Sequence, residues 1–535
     1  MFLRSPFPLH RPGRPDRQLG HWILGICWGF GVGLAAGTVG DTAWAAGFDV
    51  AARAKAAASI TSTDLNRHLS LLADDAFEGR EAGSRGGHAA GNYLAQQLPA
   101  TLEPAGESGQ FYQTFGPGYR NLLAVLPGAD ANLRHEYILV GAHYDHVGYG
   151  QRQNSPGPWG VIHNGADDNA SGTAALLEVL QAFATSDVTP RRSILFAFWD
   201  GEEKGLLGSE HWVQHPTVPW QQVRLVINAD MVGRLNGRPL EVQGTRTIAG
   251  LRHLVTEANR DSDLPLNFAW KVEPNSDHYS FYKRQVPFVM FHTGLHDDYH
   301  RPSDDTERID WEGLQAIGRL IFNVAVLAAD QDESGWYREV AEYENESRRI
   351  ELERAVPGPQ PRVGIRWEPI VTQDLAGLRV TGVNTGSAAA RAGVMVGDVI
   401  SAVNGRSLLA SSTLQQLAVT ATQLQLEVRR GATSVDEAGP IETLTVELDG
   451  KPQRLGISWR DDSADPEAVT VVRVLPHSVC HQAGLRVGDR IWQLDGATFR
   501  DSSEFAAVAQ QVELPASVLV ERSGRLMELR IPSLP

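Results

Sequence analysis

Residues 137–146 read YILVGAHYDH, an apolar run that changes abruptly into histidine, tyrosine, aspartate and histidine. The apolar half predicts a buried strand, and the polar half predicts a functional loop at its carboxyl end. Outward from this stretch, apolar strands alternate with helical patterns, which predicts an α/β fold with a mixed, mostly parallel sheet sandwiched by helices over residues 47–330. The other strands are expected at residues 193–198, 223–228 and 287–291, and helices at 174–183 and 311–329.

Four more clusters of acidic or histidine residues lie at or after the ends of predicted strands. Each cluster alone is weak evidence, because an H-x-D pair is often accidental, an acidic turn commonly caps a helix, and acidic loops are usually solvated. Since the carboxyl ends of strands in an open α/β sheet carry its active site, we expect the clusters to converge. The candidate side chains are His143 and Asp145, Asp168, Glu202 and Glu203, Asp230, and Tyr299 and His300.

This set contains the ligand types of a hydrolytic two-metal site, namely imidazoles and carboxylates, with one carboxylate shared. Glu202 and Glu203 are adjacent and point in different directions, so one can bind metal while the other acts as general base on a metal-bound water. Asp230 ends a predicted buried strand, where an unpaired carboxylate is costly and a cation compensates that cost.

These clusters, in this order, resemble the co-catalytic zinc aminopeptidase family, the clan MH metallopeptidases. Its relatives include bacterial leucine aminopeptidases, glutamate carboxypeptidase and the transferrin receptor ectodomain. The likeness covers roughly residues 60–330 and includes an upstream segment, residues 77–84. It implies the zinc exopeptidase fold and a di-zinc enzyme that hydrolyses N-terminal amino acids from peptides. Two alternatives stay open: a single-zinc glutaminyl cyclase with similar ligands, and a non-catalytic scaffold.

The resemblance implies two Zn²⁺ ions per chain, with one aspartate as the bridge. One ion would be held by His143, Asp168 and Asp230, and the other by Asp168, Glu203 and His300. The family also implies a cis peptide bond between Asp168 and Asn169.

Three further side chains receive catalytic roles from the same resemblance. Asp145 would orient His143, Glu202 would take a proton from the bridging water, and Tyr299 would stabilise the oxyanion. The segment Ser276–His278 also matches the family, without an assigned role. We expect the histidines close to the ligands in sequence to be surface or packing residues, namely His146, His292 and His296.

Residues 361–535 contain two copies of one pattern, which we call the first repeat (residues 361–449) and the second repeat (residues 452–535). Both resemble PDZ domains, whose loop N–H groups capture a peptide carboxylate while the peptide adds a strand. The expected partner is a protein C-terminus or an unfolded segment; the alternative is a module used for packing or dimerisation. The candidate loops are Val363, Gly364 and Ile365, and Leu455, Gly456 and Ile457.

The net charge and the cysteine count of the chain argue against several classes of function. The chain has 535 residues and a formal net charge of −16, which argues against a nucleic-acid partner. Its two cysteines, Cys27 and Cys480, exclude a disulfide framework and an all-cysteine zinc site. Residues 331–360 are rich in charge and end in Pro-Gly-Pro, which predicts a solvated helix and a linker.

The first 45 residues have the pattern of a signal peptide. Four arginines precede an apolar run at residues 22–37, and an A-x-A cleavage site follows. The pattern predicts a periplasmic or secreted enzyme. An uncleaved membrane anchor is the alternative, since the run approaches spanning length. No later segment is expected to span a bilayer.

Overall fold

The structure, a computed structural model, describes the chain from residue 50 onward with short gaps: residues 50–358, 361–371, 376–408, 411–430 and 440–533. The predicted leader over residues 1–45 lies outside the described residues and stays a prediction. The described residues form three sheets, one in residues 50–330, which we call the sheet domain, and one in each repeat.

The sheet domain is built around nine strands. They are β1 (Glu103–Pro104), β2 (Tyr112–Phe115), β3 (Tyr119–Leu126), β4 (Tyr137–His143), β5 (Ser193–Trp199), β6 (Val223–Ala229), β7 (Leu240–Gln243), β8 (Leu266–Phe268) and β9 (Phe288–His292). The order is β1-β3-β5-β4-β6-β9-β7-β8, with β2 paired to β3. Strands β5, β4, β6 and β9 are parallel to one another, and antiparallel pairs join β3 to β5 and β7 to β9. The four strands expected from the apolar runs are therefore the parallel centre of a mixed sheet, which confirms the predicted fold class.

Helices cover both faces of this sheet because its central strands are apolar on both sides. Along β4, Ile138 and Val140 face one hydrophobic cluster while Leu139 faces the other, as the period of two requires. Helices α1, α2, α3, α4, α6 and α8 contribute to the first cluster, and α5 and α7 to the second. The helices are α1 (Val50–Ala58), α2 (Ser62–Leu72), α3 (Arg85–Gln97), α4 (Gly172–Thr185), α5 (Leu207–Gln214), α6 (Leu251–Ala258), α7 (His278–Tyr282) and α8 (Trp311–Asp330).

Helix α8 corrects one expectation. By length and composition it is apolar enough to cross a membrane, although no segment after the leader was expected to be. In the structure, 72% of its most apolar window is buried, and the helix packs against α4, α6 and the sheet. Its apolarity is accounted for by its place in the core.

The two repeats share one β-rich plan, preceded by helix α9 (Glu346–Glu353) in the charged stretch. The strands of the first repeat are β10 (Ile365–Val371), β11 (Ala376–Val383), β12 (Val399–Val403), β13 (Arg406–Ser407), β14 (Gln423–Arg429) and β15 (Ile441–Glu447). Those of the second repeat are β16 (Ile457–Asp461), β17 (Val469–Val474), β18 (Arg490–Leu494), β19 (Ala516–Arg522) and β20 (Arg525–Ile531). The strand order is β10-β11-β12-β14-β15 in the first repeat, with β13 paired to β12, and β16-β17-β18-β19-β20 in the second. Their helices are α10 (Ala388–Arg391), α11 (Ser411–Thr420), α12 (Val479–Gln482) and α13 (Ser502–Gln511).

The turn between β19 and β20 contacts the edge of the sheet domain at β8. The Leu266 N–H at edge strand β8 donates to the Ser523 carbonyl at 2.8 Å, and Asn259 Nδ2 donates to the Gly524 carbonyl at 2.8 Å. Gly524 has φ +74°, and a Cβ there would lie 2.4 Å from the Leu266 Cβ, so the approach requires glycine.

Buried ion pairs hold the second repeat to the sheet domain. Arg246 makes paired hydrogen bonds of 2.7 and 2.8 Å with Asp462 of the second repeat and of 2.7 and 2.8 Å with Glu344 of the charged stretch. Arg252 of α6 pairs in the same way with Glu521 of β19, at 2.8 and 3.0 Å. Forked pairs of this kind fix orientation, so the second repeat has one docked position.

Candidate active site

The sheet brings the candidate ligands to one edge. His143 is the last residue of β4, Asp230 directly follows β6, and Glu202 and Glu203 open a short helical turn after β5. Because β4, β5 and β6 are parallel neighbours, these side chains emerge side by side. Loops between other elements supply Asp168 and His300.

The ligand atoms form two groups that share Asp168. His143 Nε2 lies 3.3 Å from Asp230 Oδ1 and 3.5 Å from Asp168 Oδ1. His300 Nε2 lies 3.0 Å from Asp168 Oδ2 and 3.1 Å from Glu203 Oε2. Asp168 therefore presents one oxygen to each group, which is the arrangement that a bridging carboxylate needs.

Two residues in these groups have other expected roles. Glu202, the predicted base, has a carboxylate oxygen within 4.8 Å of ligand atoms of His143 and Asp230. His146, expected to be a surface or packing residue, is buried beside the second group, with Nδ1 2.8 Å from Glu203 Oε1. The H-x-D-H spacing was the available signal for His146, and it does not distinguish a packing histidine from one that contacts a ligand.

Comparison with known proteins fits this geometry. Residues 121–325, which contain all five predicted ligands, match the family model of peptidase family M28. We call this segment the M28 domain after the family model that it matches. Residues 379–430 and 443–521 each match a PDZ domain model, so the match to peptidase family M28 is followed by two matches to PDZ domains.

Curated relatives align with the M28 domain and its surroundings. The chain is 29% identical over 242 residues to aminopeptidase YwaD of Bacillus subtilis, covering 43% of this chain and 48% of that protein. It is 32% identical over 269 residues to leupeptin-inactivating enzyme 1 of Streptomyces exfoliatus, covering 49% and 55%. The chain thus spans about half the length of these relatives. The solved LapA aminopeptidase of Legionella pneumophila is similar with a TM-score of 0.44 and 22% identity, over 52% of this chain and 75% of that chain.

Asp145 holds the loop that carries both glutamates of the M28 domain. Its carboxylate accepts hydrogen bonds from the N–H groups of Glu202 at 3.0 Å and Glu203 at 3.3 Å. His143 Nδ1 lies 3.2 Å from the Asp145 carbonyl and 3.7 Å from its carboxylate. The hydrogen bond with His143 thus involves the Asp145 carbonyl, whereas its carboxylate lies farther from the ring and holds the N–H groups of the glutamates.

Sequence reasoning missed Asp304, which fixes the bridging aspartate. Its buried carboxylate accepts hydrogen bonds from the N–H groups of Asp167 and Asp168, each at 3.0 Å from the same oxygen. The next peptide bond, Asp168–Asn169, is cis, as the resemblance predicted. Asp304 lies four residues after His300 in the sequence, yet nothing local distinguishes it from a solvated acid.

Arg80 is the second missed residue. Its guanidinium is fully buried behind the site and donates to the carbonyls of Leu72, Tyr144, Asn164 and Gly165 at 2.6–2.9 Å. These acceptors lie on three separate segments, so Arg80 ties together the loops that carry the ligands. The upstream segment 77–84 thereby acquires a structural role.

The carboxylates of the site favour the binding of cations. Burial opposes charge on both imidazoles, yet Asp230 and Glu202 raise the pKa of His143 well above its ordinary value. Hydrogen bonds with Asp168 and Glu203 likewise raise the pKa of His300 to about 11. Protons are thus drawn in to balance the carboxylates, and divalent ions meet the same demand. Imidazole nitrogen and carboxylate oxygen suit zinc, so the donor set fits the metal that the resemblance predicts.

Glu202 and Tyr299 have the protonation tendencies that their predicted roles need. Loss of hydration raises the pKa of Glu202 well above its usual range; His143 opposes this, and Glu203 and Asp230 add to it. A carboxyl group of this kind exchanges protons near neutral pH more readily than an exposed glutamate. The rings of Tyr299 and His300 are stacked, with centroids 3.9 Å apart. Burial and the nearby carboxylates raise the pKa of Tyr299, so its phenol keeps a proton to donate.

The two PDZ loops differ in what surrounds them. A cavity of about 510 Å³ lies beside Val363, Gly364 and Ile365, and Leu475–His477 of the second repeat forms part of its wall. At the matching place in the second repeat, Trp459 packs edge-on against Phe505 with ring centroids 4.8 Å apart. The first repeat has the smaller Leu414 at the position of Phe505, counted from the matching Asn-Gly and Asp-Gly turns.

Proposed function

We propose that this chain is a di-zinc exopeptidase that hydrolyses peptides from the amino end. The observation that carries the proposal is the pair of ligand groups joined by Asp168, with Glu202 beside them. The relatives named as aminopeptidases support the activity, and a cluster of carboxylates is a natural receptor for the α-ammonium group of a peptide. One zinc would be held by His143, Asp168 and Asp230, and the other by Asp168, Glu203 and His300.

The chain's own residues supply the proton transfers. When bound, zinc lowers the pKa of water and polarises the scissile carbonyl. Glu202 takes a proton from the attacking water and gives it to the leaving amine, because its raised pKa lets it act in both directions. The Tyr299 phenol donates a hydrogen bond to the developing oxyanion. Asp145 keeps Glu202 and Glu203 in place through their N–H groups.

An assay of the purified protein tests this function. We expect release of amino acids from aminoacyl-nitroanilides, loss of activity with a chelator, recovery with zinc, and two zinc ions per chain by elemental analysis. Failure to cleave any substrate while converting N-terminal glutaminyl peptides to pyroglutamate with one zinc would instead support the cyclase alternative.

We propose export to the periplasm or the medium, on the pattern of residues 1–45. Cell fractionation and N-terminal sequencing of the purified protein test it. A mature N-terminus after Ala45 is expected, whereas an intact leader in the membrane fraction would indicate an anchor.

For the C-terminal part, we propose that the first repeat captures a peptide carboxylate and that the second repeat is a fixed support. Among the described residues, the N–H groups of Val363 and Gly364 donate no hydrogen bond and lie at the wall of the open cavity. The second repeat is docked by Arg246 and Arg252, and its Trp459 packs edge-on against the buried Phe505.

Labelled peptides with a free or an amidated C-terminus test this division. We expect binding of the free form alone, and its loss in Val419→Glu, which places a negative charge in the cavity wall. Gln510→Glu, the matching position of the second repeat, should bind as the wild type does. Equal binding of both peptide forms, or loss in Gln510→Glu alone, would contradict the proposal.

A further inference from the structure

His146 shares Glu203 with the second ligand group. Its side chain is fully buried, and its ring stands edge-on to His300 with centroids 5.4 Å apart. The two oxygens of Glu203 are divided between these histidines: Oε1 lies 2.8 Å from His146 Nδ1, and Oε2 lies 3.1 Å from His300 Nε2.

The two predicted imidazole ligands use their nitrogens differently from His146. His143 and His300 each hold a backbone carbonyl with Nδ1, at 3.2 and 2.7 Å, and turn Nε2 to the carboxylates. His146 turns Nδ1 to Glu203, and its Nε2 is buried without a hydrogen-bond partner among the described residues. A proton on Nδ1 satisfies Glu203 and avoids burying an unpaired N–H at Nε2.

The surroundings hold His146 in this orientation. Its N–H donates to the Arg80 carbonyl at 3.3 Å, so the segment that Arg80 anchors also fixes the backbone of His146. A Cβ at Gly165 would lie 2.4 Å from the His146 ring, so this glycine leaves the space that the ring fills.

We propose that His146 is a positioning residue for the metal centre: it donates from Nδ1 to Glu203 Oε1, so that Glu203 offers Oε2 alone to the ion held with Asp168 and His300. The role rests on the proposed di-zinc function. Partners that orient a ligand contribute strongly to metal affinity, typically 10–100-fold.

The matched substitutions His146→Asn and His146→Gln test this role in the full chain. The amide nitrogen of asparagine stands where Nδ1 stands and donates to Glu203, whereas that of glutamine reaches the position of Nε2. Titration of the metal-free protein with Co²⁺, followed by visible absorption, reports affinity and coordination without any assay of activity. Thermal unfolding of the metal-free variants separates a folding defect from a change in metal binding.

We expect His146→Asn to bind two cobalt ions with the wild-type spectrum, and His146→Gln to bind the second ion about 10–100-fold more weakly with an altered spectrum. Wild-type binding by His146→Gln would overturn the role. Equal loss in both variants would also overturn it, because the imidazole would then be a ligand itself. Failure of the wild type to take up two ions would count against the di-zinc function, which separates the two proposals.

Discussion

At the scale of single residues, Glu202 and Glu203 are neighbours with different environments. Both N–H groups are held by Asp145, yet Glu203 meets His300 and His146 while Glu202 lies with His143 and Asp230. The short helical turn after β5 separates the two side chains. One glutamate can therefore serve as ligand while the other stays available for proton transfer.

Glu202→Gln tests the assignment of the base. The amide keeps the shape of the side chain but cannot accept the proton of water, so we expect kcat to fall about 10²–10⁴-fold. Zinc content should stay at the wild-type value. Glu81→Gln, which changes an acid in a surface pair with Lys204, serves as control. An active Glu202→Gln enzyme would show that another group is the base.

Arg80→Met tests the buried guanidinium. Removal of this buried cation takes a donor away from each of four carbonyls, so we expect the free energy of unfolding to fall by about 3–5 kcal/mol. Urea denaturation of the metal-free protein measures it, which separates folding from metal binding. Arg67→Met removes an exposed arginine and should change stability by less than about 0.5 kcal/mol. A similar change in the free energy of unfolding for both variants would contradict the role of Arg80 in holding the three segments together.

The sequence identifies residues whose chemistry is local, and it misses those whose role depends on distant partners. His143 and Asp230 end apolar strands, so their positions follow from the pattern itself. Arg80 acts on carbonyls up to 85 positions away, and Asp304 acts on N–H groups 136 and 137 positions away. Such pairings appear only when the loops are placed in three dimensions.

At the scale of elements, the turn between β19 and β20 acts as an extra cap on β8. It supplies an acceptor to an edge strand whose unpaired N–H groups would otherwise face solvent or another chain. The repeat pattern in the sequence does not predict this contact, because the identity of turn residues does not indicate which other segment they contact.

Gly524→Ala tests the contact. The new methyl group would meet Leu266, so we expect docking to weaken by about 1–3 kcal/mol, as overpacking does. Gly496→Ala is the matched control: its φ of +73° is nearly the same, and no atom of the residues that the structure describes lies within 4 Å of its Cβ position. The difference in free energy of unfolding between the variants isolates the clash. Equal losses would mean that backbone strain alone is measured.

At the scale of the whole molecule, the second repeat is docked against the sheet domain through buried ion pairs. Arg246, Glu344 and Asp462 meet from three regions of the chain, and Arg246 is 216 positions from Asp462. The sequence predicted the modules but not this junction, since each charge alone looks like a solvated residue. Deletion of both repeats would leave buried charges unpaired, so substitutions in the cavity of the first repeat are the cleaner probe of peptide capture.

Docking should depend on pH. Burial raises the pKa of both acids, but Arg246 lowers the pKa of Asp462 to about 2, and Arg252 and Arg490 lower that of Glu521 to about 2. Since both folded-state values lie below the ordinary 3.8 and 4.5, their stabilisation is complete above about pH 5 and is lost as pH falls from about 4 to about 2. Small-angle X-ray scattering should show expansion in that range. The double variant Asp462→Asn, Glu521→Gln should lack this step, and an unchanged step would contradict the assignment.

Because the chain is synthesised from the amino end, β8 is made well before the turn that contacts it. The residues of β8 leave the ribosome about 250 residues before Ser523 and Gly524. At about 5–20 residues per second, the nascent sheet keeps an open edge for on the order of tens of seconds. An open edge pairs readily with other chains. A chain that stalls or is cut between residues 300 and 523 therefore carries every predicted metal ligand and still presents a surface prone to aggregation.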